Sequence, residues 1–456
     1  MPSLNVHVVH MGHMANRGTQ ALLTCDVHVI RKIIKNSAIS VSTTDVKGVR
    51  QVGLGLKAVL PPLIDIPYER ADLYAKRISC TRESYRYKAF ALASLLLMLV
   101  QIALTTFSTI LVRLGLKALY RPEVFKHIRE SEIIVSCSDE NFKETASLLP
   151  LNVYWIAAWW TMLLSRTWEI LVAKFLDKPV VMFPNSVGPF RTLVGVLLSK
   201  LALNRCNWIL IREPISLNVV RCLGIRSPTV LTSDTGLLLG SNSKIADSLL
   251  TQTHPTMVIC AGIYSNSLPK HRVFQYISAH TKALDTAIDQ LGVNVTFLPH
   301  YISGFKSDDL ETSRLILSEM KNKAAARIVQ VRTAKEFKAI LNEAELVVSS
   351  KMHPAVLAVS SFVPTLCLAY DHKQTGFFRN LGLNDCLVPL HELSESRLIS
   401  QINHVWNKRD EIKQILKTRI PELQRHIMKS MEQAFNSIMS EKELDTRTTL
   451  IEVNHA

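Results

Sequence analysis

Short apolar runs alternate with amphipathic stretches along most of this chain, and that rhythm restricts it to a parallel α/β architecture. In the N-terminal half, residues 5–11, 132–138, 179–190, 208–213 and 229–239 read as strands, and 19–34, 191–206 and 214–224 as helices. Pro214 in the first turn and Gly224 past the last fix the ends of the third helix. A polar stretch at 240–255 reads as a linker, after which the pattern restarts. Strands are expected at 256–264, 294–302, 326–332, up to Ser349-Ser350, and at 364–370, with helices at 271–292, 308–321 and 334–344. A chain of 456 residues that is 48% hydrophobic has length and core enough for two domains. The expected organisation is a Rossmann-like domain over 1–245, a second over 255–395, and charged helices over 396–456.

In parallel sheets ligands sit beyond the carboxyl ends of the strands, and between two such domains they sit in the cleft. That rule selects Asn16 and Gly18 after the first strand, Asp139 and Asn141 after the second, Asn185, Ser186 and Gly188 after the third, and Arg212 after the fourth. In the second domain it selects Ser265 and Asn266, His300, Lys351 with His353, and Asp371 with Lys373. The first turn has neither the G-x-G-x-x-G nor the P-loop spacing, which argues against dinucleotide or nucleoside-triphosphate binding. Arg212 closes an apolar strand and needs a partner. Either it pairs with Asp234 or Glu213, or its fork clamps a phosphate or carboxylate. His353 opens a helix: it is either a ring bonded to backbone or a proton carrier. Lys351 nearby would lower its pKa, and a bound anion would raise it again. With Pro354 as the first helical residue, "SSKMHPA" fits an anion at a helix N-terminus. His300 reads equally as a second proton carrier or a polar strand end.

The formal net charge of +15 favours an anionic partner. Nucleic acid is disfavoured, because there is no zinc-finger spacing, no aromatic-basic signature and no long Lys/Arg block. None of the eight cysteines forms a C-x-x-C pair, so they read as reduced thiols of a cytoplasmic protein, with no metal site. The first residues lack the pattern of a signal peptide. Residues 89–112 carry no charge and are long enough to cross a bilayer, yet basic residues flank both ends. The strands on either side belong to one sheet in this reading, which a single span would divide. The segment is therefore expected as a hydrophobic hairpin or interfacial helix dipping into the cytoplasmic leaflet, with a buried core helix and a true span as the competing readings. Residues 153–164 would extend the same apolar surface.

Four stretches, in order, resemble the polysaccharide pyruvyl transferase family over roughly residues 5–390. They are "GHMANRGTQALL" (12–23), "FPNSVGPF" (183–190), "LNRCNWILIREPISLNVVRCLGI" (203–225) and "LVVSSKMHPAVLAVSSFVPTLCLAYDHKQTGFFRNLGL" (346–383), with "FLPHY" between the last two. The resemblance implies a two-domain GT-B-like fold. It also implies transfer of a pyruvyl group from phosphoenolpyruvate to sugar hydroxyls as a ketal, with phosphate released and no cofactor or metal. By motif, His353 matches the family's catalytic histidine, Arg212 its donor-binding arginine and Lys351 its cleft arginine. The chain departs from the pattern in carrying lysine at 351, in lacking glycine in "SCSDENF" (136–142), and in having Thr19 and Gln20 where an acid is usual. The expected acceptor is a saccharide, lipid-linked or membrane-proximal, met at the inner face of the cell membrane. A nucleotide-sugar glycosyltransferase and a non-catalytic scaffold of polysaccharide assembly are the alternatives.

Overall fold

The computed structural model describes residues 3–78, 84–144, 153–240, 254–262, 269–302 and 308–454. The N-terminal half runs β1 (Leu4–Met11), α1 (Arg17–Ile33), β2 (Ser37–Thr43), α2 (Val46–Val52), β3 (Ala58–Leu60), α3 (Pro67–Ile78), α4 (Tyr85–Arg113) and α5 (Glu123–Glu130). It continues with β4 (Ile133–Ser136), β5 (Asp139–Phe142), α6 (Val153–Phe175), β6 (Val180–Val187), α7 (Leu193–Leu203), β7 (Trp208–Ile211), α8 (Pro214–Cys222) and β8 (Thr229–Leu231). These strands form one eight-stranded sheet in the order β3-β2-β1-β4-β6-β7-β8, with β5 paired to β6.

The second half runs β9 (Thr256–Cys260), α9 (Lys270–Leu291), β10 (Asn294–Phe297), α10 (Asp309–Glu319), β11 (Ala326–Ile328), α11 (Ala334–Asn342), β12 (Leu346–Ser349) and α12 (Met352–Val359). Then come β13 (Thr365–Ala369), α13 (His372–Leu381), β14 (Leu387–Pro389), α14 (Glu395–Asn407) and α15 (Arg409–Asn454). Its six strands are ordered β11-β10-β9-β12-β13-β14. The strand pairs in both sheets are parallel. The central strands are buried on both faces, which is why their sequences are continuous apolar runs rather than alternating ones.

Several expected elements change in extent. The strand at 229–239 stops at Leu231, and a single 3₁₀ turn capped by Asp234 follows. The strand at 294–302 stops at Phe297, so His300 sits on a loop. Most of the expected linker, together with Ser265 and Asn266, lies outside the described residues. The charged C-terminal region is two helices, and the longer turns back onto the first sheet. There Phe435 meets Phe183 of β6 edge to face at 5.8 Å, and Gln424 donates to the Leu237 carbonyl at 2.7 Å.

Residues 89–112 form one continuous helix rather than a hairpin. Only 22% of its most apolar window is buried within the molecule, so it is not a core helix either. Strands β1 and β4 are direct neighbours, with Val6 opposite Ile133 and Val8 opposite Val135. The chain therefore leaves and rejoins the same sheet around α4, which rules out a single membrane span.

Candidate active site

The turn after β1 joins the two halves. Asn16 caps α1 by accepting from the Gly18 and Thr19 amides, and it forms an isolated antiparallel bridge with Tyr301. The Gly18 amide also donates to Nε2 of His300 at 2.8 Å. That bond requires an unprotonated Nε2 and so fixes the tautomer of a neutral imidazole. Burial lowers the His300 pKa well below the usual value, helped by His353, Lys351, Arg17 and Lys373. His300 thus acts here as an acceptor that ties the halves together.

His353 sits in the first turn of α12, directly against Gly18. A Cβ at Gly18 would lie 2.2 Å from its Nδ1. The ring is buried, and its Nε2 has no hydrogen-bond partner among the described residues. Burial lowers its pKa; Asp234 and Asp139 act upward on it, Arg212 and Lys373 downward.

Arg212 leaves the end of β7 and is completely buried. Its Nε donates to Ser186 Oγ at 2.8 Å and its Nη1 to Asp234 Oδ2 at 2.8 Å. The third nitrogen, Nη2, has no partner among the described residues. Burial works against the charge, but Asp234, Asp139, Glu140 and Glu213 outweigh it and hold the pKa above the ordinary arginine value. The first sequence reading of Arg212 is the one observed: it is ion-paired to Asp234, and one edge of its fork is left over.

Two lysine clusters flank this centre. Lys351 Nζ stands 3.3 Å from Asp309 Oδ1. Lys373, from the first turn of α13, pairs with Glu140 of β5, which also pairs with Lys143. Burial alone would raise the Glu140 pKa, but the two ammonium groups hold it well below the carboxylate range. Burial lowers the Lys143 pKa, and its ammonium lies 5.1 Å from the centre of the Trp159 ring. Asp371 caps α13 and holds His372, whose other nitrogen faces Glu213 and Ser216 of the N-terminal half.

The remaining candidates support the scaffold. Asn185 Nδ2 donates to the Cys137 and Phe183 carbonyls, and its oxygen accepts from the Asn141 amide. Asn141 Nδ2 in turn donates to the Cys137 carbonyl. Together they join the ends of β4, β5 and β6. Gly188 takes a left-handed turn with φ of 78°. Asp139 is partly exposed and acts on Arg212 and His353 through its charge. Sequence reasoning missed Asp309, Glu140 and Lys143. The first looks like part of a helix cap next to Asp308, and the other two lie in and just after the short strand β5, whose sequence has no recognisable spacing.

The family model for polysaccharide pyruvyl transferases matches residues 54–372, a stretch that includes Arg212, Lys351 and His353. The amylovoran biosynthesis protein AmsJ of Erwinia amylovora is 23% identical over 257 residues, 54% of this chain. The match spans 62% of that relative's length. Solved structures share the fold at low identity. The UDP-GlcNAc 2-epimerase of Neisseria meningitidis superposes with a TM-score of 0.54 at 10% identity, over 95% of this chain and 100% of that one. HepE of Anabaena, in complex with UDP and glucose, gives 0.54 at 12% identity, over 96% and 100%. The arrangement of two parallel-sheet domains is GT-B-like.

Proposed function

The chain belongs to the polysaccharide pyruvyl transferase family, and from that premise we propose that it moves a pyruvyl group from phosphoenolpyruvate to hydroxyls of a saccharide in surface-polysaccharide assembly. The observation that carries this reading is a pair of buried polar nitrogens with no partner. Arg212 Nη2 and His353 Nε2 are both unpartnered among the described residues, and the two side chains interact electrostatically. A buried polar group is normally satisfied, so such a pair marks a place for a ligand. Around it stand Lys143, Lys351 and Lys373. Each of these lysines is paired with an acid, and a small molecule with both phosphate and carboxylate suits a site lined by four cations.

The chemistry follows from those residue types. A bound polyanion raises the His353 pKa and gives Nε2 a proton to donate. Transfer of that proton to the methylene carbon of phosphoenolpyruvate leaves an oxocarbenium-like centre at the adjacent carbon. A sugar hydroxyl attacks that carbon and loses its proton. The carbon–oxygen bond to phosphate breaks, and a second hydroxyl closes the ketal. The methyl group of the product carries the proton from His353, phosphate leaves with one hydroxyl proton, and the other hydroxyl proton returns to His353. Arg212 and the lysines compensate the charge of the departing phosphate.

The acceptor in this reading is a lipid-linked saccharide at the cytoplasmic face of the membrane. The apolar helix α4 and the charge of +15 support that placement, as does the resemblance to a relative named for amylovoran biosynthesis. The test is phosphate release from phosphoenolpyruvate by purified protein, with source-cell membrane extract as acceptor. Release that depends on extract, is lost in His353→Ala, and yields a product heavier by a pyruvate ketal supports the assignment. Absence of release in extract with intact lipid-linked saccharides, with turnover of a nucleotide sugar instead, overturns it.

A further inference from the structure

Helix α4 is built inside out. The face it turns to the protein carries Ser94, Gln101, Thr105, Ser108 and Thr109, with Met98 buried among them and Leu95 and Ile102 at their flank, while Leu92, Leu96, Leu99, Val100, Phe107 and Ile110 point outward. At a hundred degrees per residue these are two opposite stripes of one helix. The inner polar groups are all engaged. Gln101 bonds Asp65 and its amide, Thr105 accepts from the Trp168 indole at 3.1 Å, and Ser108 accepts from the Tyr120 amide at 2.8 Å. Ser94 and Thr109 donate to carbonyls one turn back. An aqueous surface selects the reverse pattern, with leucines inward and hydroxyls outward. The outward stripe is too long and too continuous to count as scattered exposed residues.

We propose that α4 lies flat in one leaflet of an anionic bilayer, as a monotopic anchor with its leucine stripe among the acyl chains. Three observations choose this occupant. Both ends of the stripe are basic and exposed, with Arg86 and Lys88 before it and Lys117 and Arg121 after it; Arg113 pairs with Asp177. Those charges match a negative lipid surface and would repel a second copy of the same positively charged chain. The neighbouring strands β1 and β4 keep both ends of the helix on one side, so it does not span. Helix α7 also presents an exposed apolar strip, Leu193, Leu197 and Leu201, next to the α6 that α4 packs on. A helix with this apolar face and this basic rim has the character of an interfacial anchor.

The inference deepens only the membrane-proximal part of the proposed function, and its test needs no turnover, so the two can fail separately. Full-length protein is centrifuged with phosphatidylglycerol/phosphatidylethanolamine vesicles and with pure phosphatidylcholine vesicles, in low and high salt. The expected result is binding to the anionic vesicles that weakens but persists in salt, with at least tenfold weaker binding to phosphatidylcholine. The triple variant Leu96→Glu/Val100→Glu/Phe107→Glu should lose binding to both while melting like the wild type, since the three side chains touch solvent. Lys117→Glu/Arg121→Glu should lose only the preference for anionic lipid. Failure of the wild type to bind any vesicle overturns the proposal, as does vesicle binding unchanged in the triple variant. A dimer by analytical ultracentrifugation that the triple variant dissociates, with no vesicle binding, would assign the face to a second copy instead.

Discussion

Gly18 and His353 touch so closely that a single added methyl cannot fit between them: a Cβ at 18 would stand 2.2 Å from Nδ1 and 2.6 Å from Cβ of the histidine. The backbone at 18 is in no conformation reserved for glycine, so the requirement comes from the imidazole across the cleft and not from the turn itself. Gly18→Ala should therefore displace the ring. Misplacement of about an ångström costs roughly a hundredfold, and kcat/KM should fall by about that factor. Overpacking of two buried residues should also cost about 1–3 kcal/mol of stability, and a melting curve beside the kinetics separates the two effects.

Asp234 is the counter-charge of a fully buried guanidinium. Asp234→Asn keeps the size and the cap on the Gly236 amide but leaves Arg212 with a neutral neighbour. Removing one partner of a buried pair costs about 3–5 kcal/mol, readable in urea unfolding. Phosphate or phosphoenolpyruvate should raise the melting temperature of this variant more than that of the wild type, because the anion supplies the missing charge.

The His353 pKa lies below its ordinary value, chiefly through burial. A bound anion favours the imidazolium. Donor binding should then take up a proton, and affinity should rise as pH falls between the free and bound pKa values. Comparing the pH dependence of binding with that of His353→Gln cancels the titration of the ligand itself. Identical slopes in the two proteins would remove the histidine from the donor site.

Glu140 balances two ammonium groups that converge from opposite halves of the molecule. Glu140→Gln takes away that counter-charge. Inorganic phosphate should bind several-fold tighter to the variant at low ionic strength, and the gain should shrink in salt as screening grows. Isothermal titration at two salt concentrations reads both effects.

His7, buried in β1 and bonded to Ser40 through Nδ1, has its pKa pushed down to about 3 by burial. Between that value and about 6.5 the unfolded chain holds a proton that the native protein refuses. Native stability should fall as pH drops through this window, with this one group contributing up to about 1.4 kcal/mol per pH unit. His7→Asn should make the acid limb of the stability curve shallower by that amount.

What could be read in advance follows from where the physical signal lies. The strands that carry Ser186, Arg212 and Lys351 are fully buried in parallel sheets and announce themselves as apolar runs. By contrast β2, "SAISVST", is half hydroxyl, and β3 has three residues, so neither stood out. The strand-end rule found Arg212, His353 and Lys373 because the rule is about topology. It missed Asp309 and Glu140, whose meaning depends on a lysine brought from elsewhere in the chain. The absence of charge at 89–112 was plain, yet it left a hairpin and a single helix both open. Its reversed faces were also encoded, in the helical spacing of Ser94, Gln101, Thr105 and Thr109, but they signify something only once one side is known to touch protein.

The excursion from β3 to β4 leaves the first sheet at its edge and re-enters it beside β1. Parts of that excursion pack on the sheet, where Leu63, Ile64, Phe125 and Ile128 share a core with Val9, Ile134, Met182 and Ile209, whereas the outward stripe of α4 is turned away from it. Under the anchor proposal, address and chemistry are written on separate faces of the same polypeptide. Exchanging only the outward residues of α4 would redirect where the molecule resides while the strands that hold Arg212 and Ser186 keep their alignment.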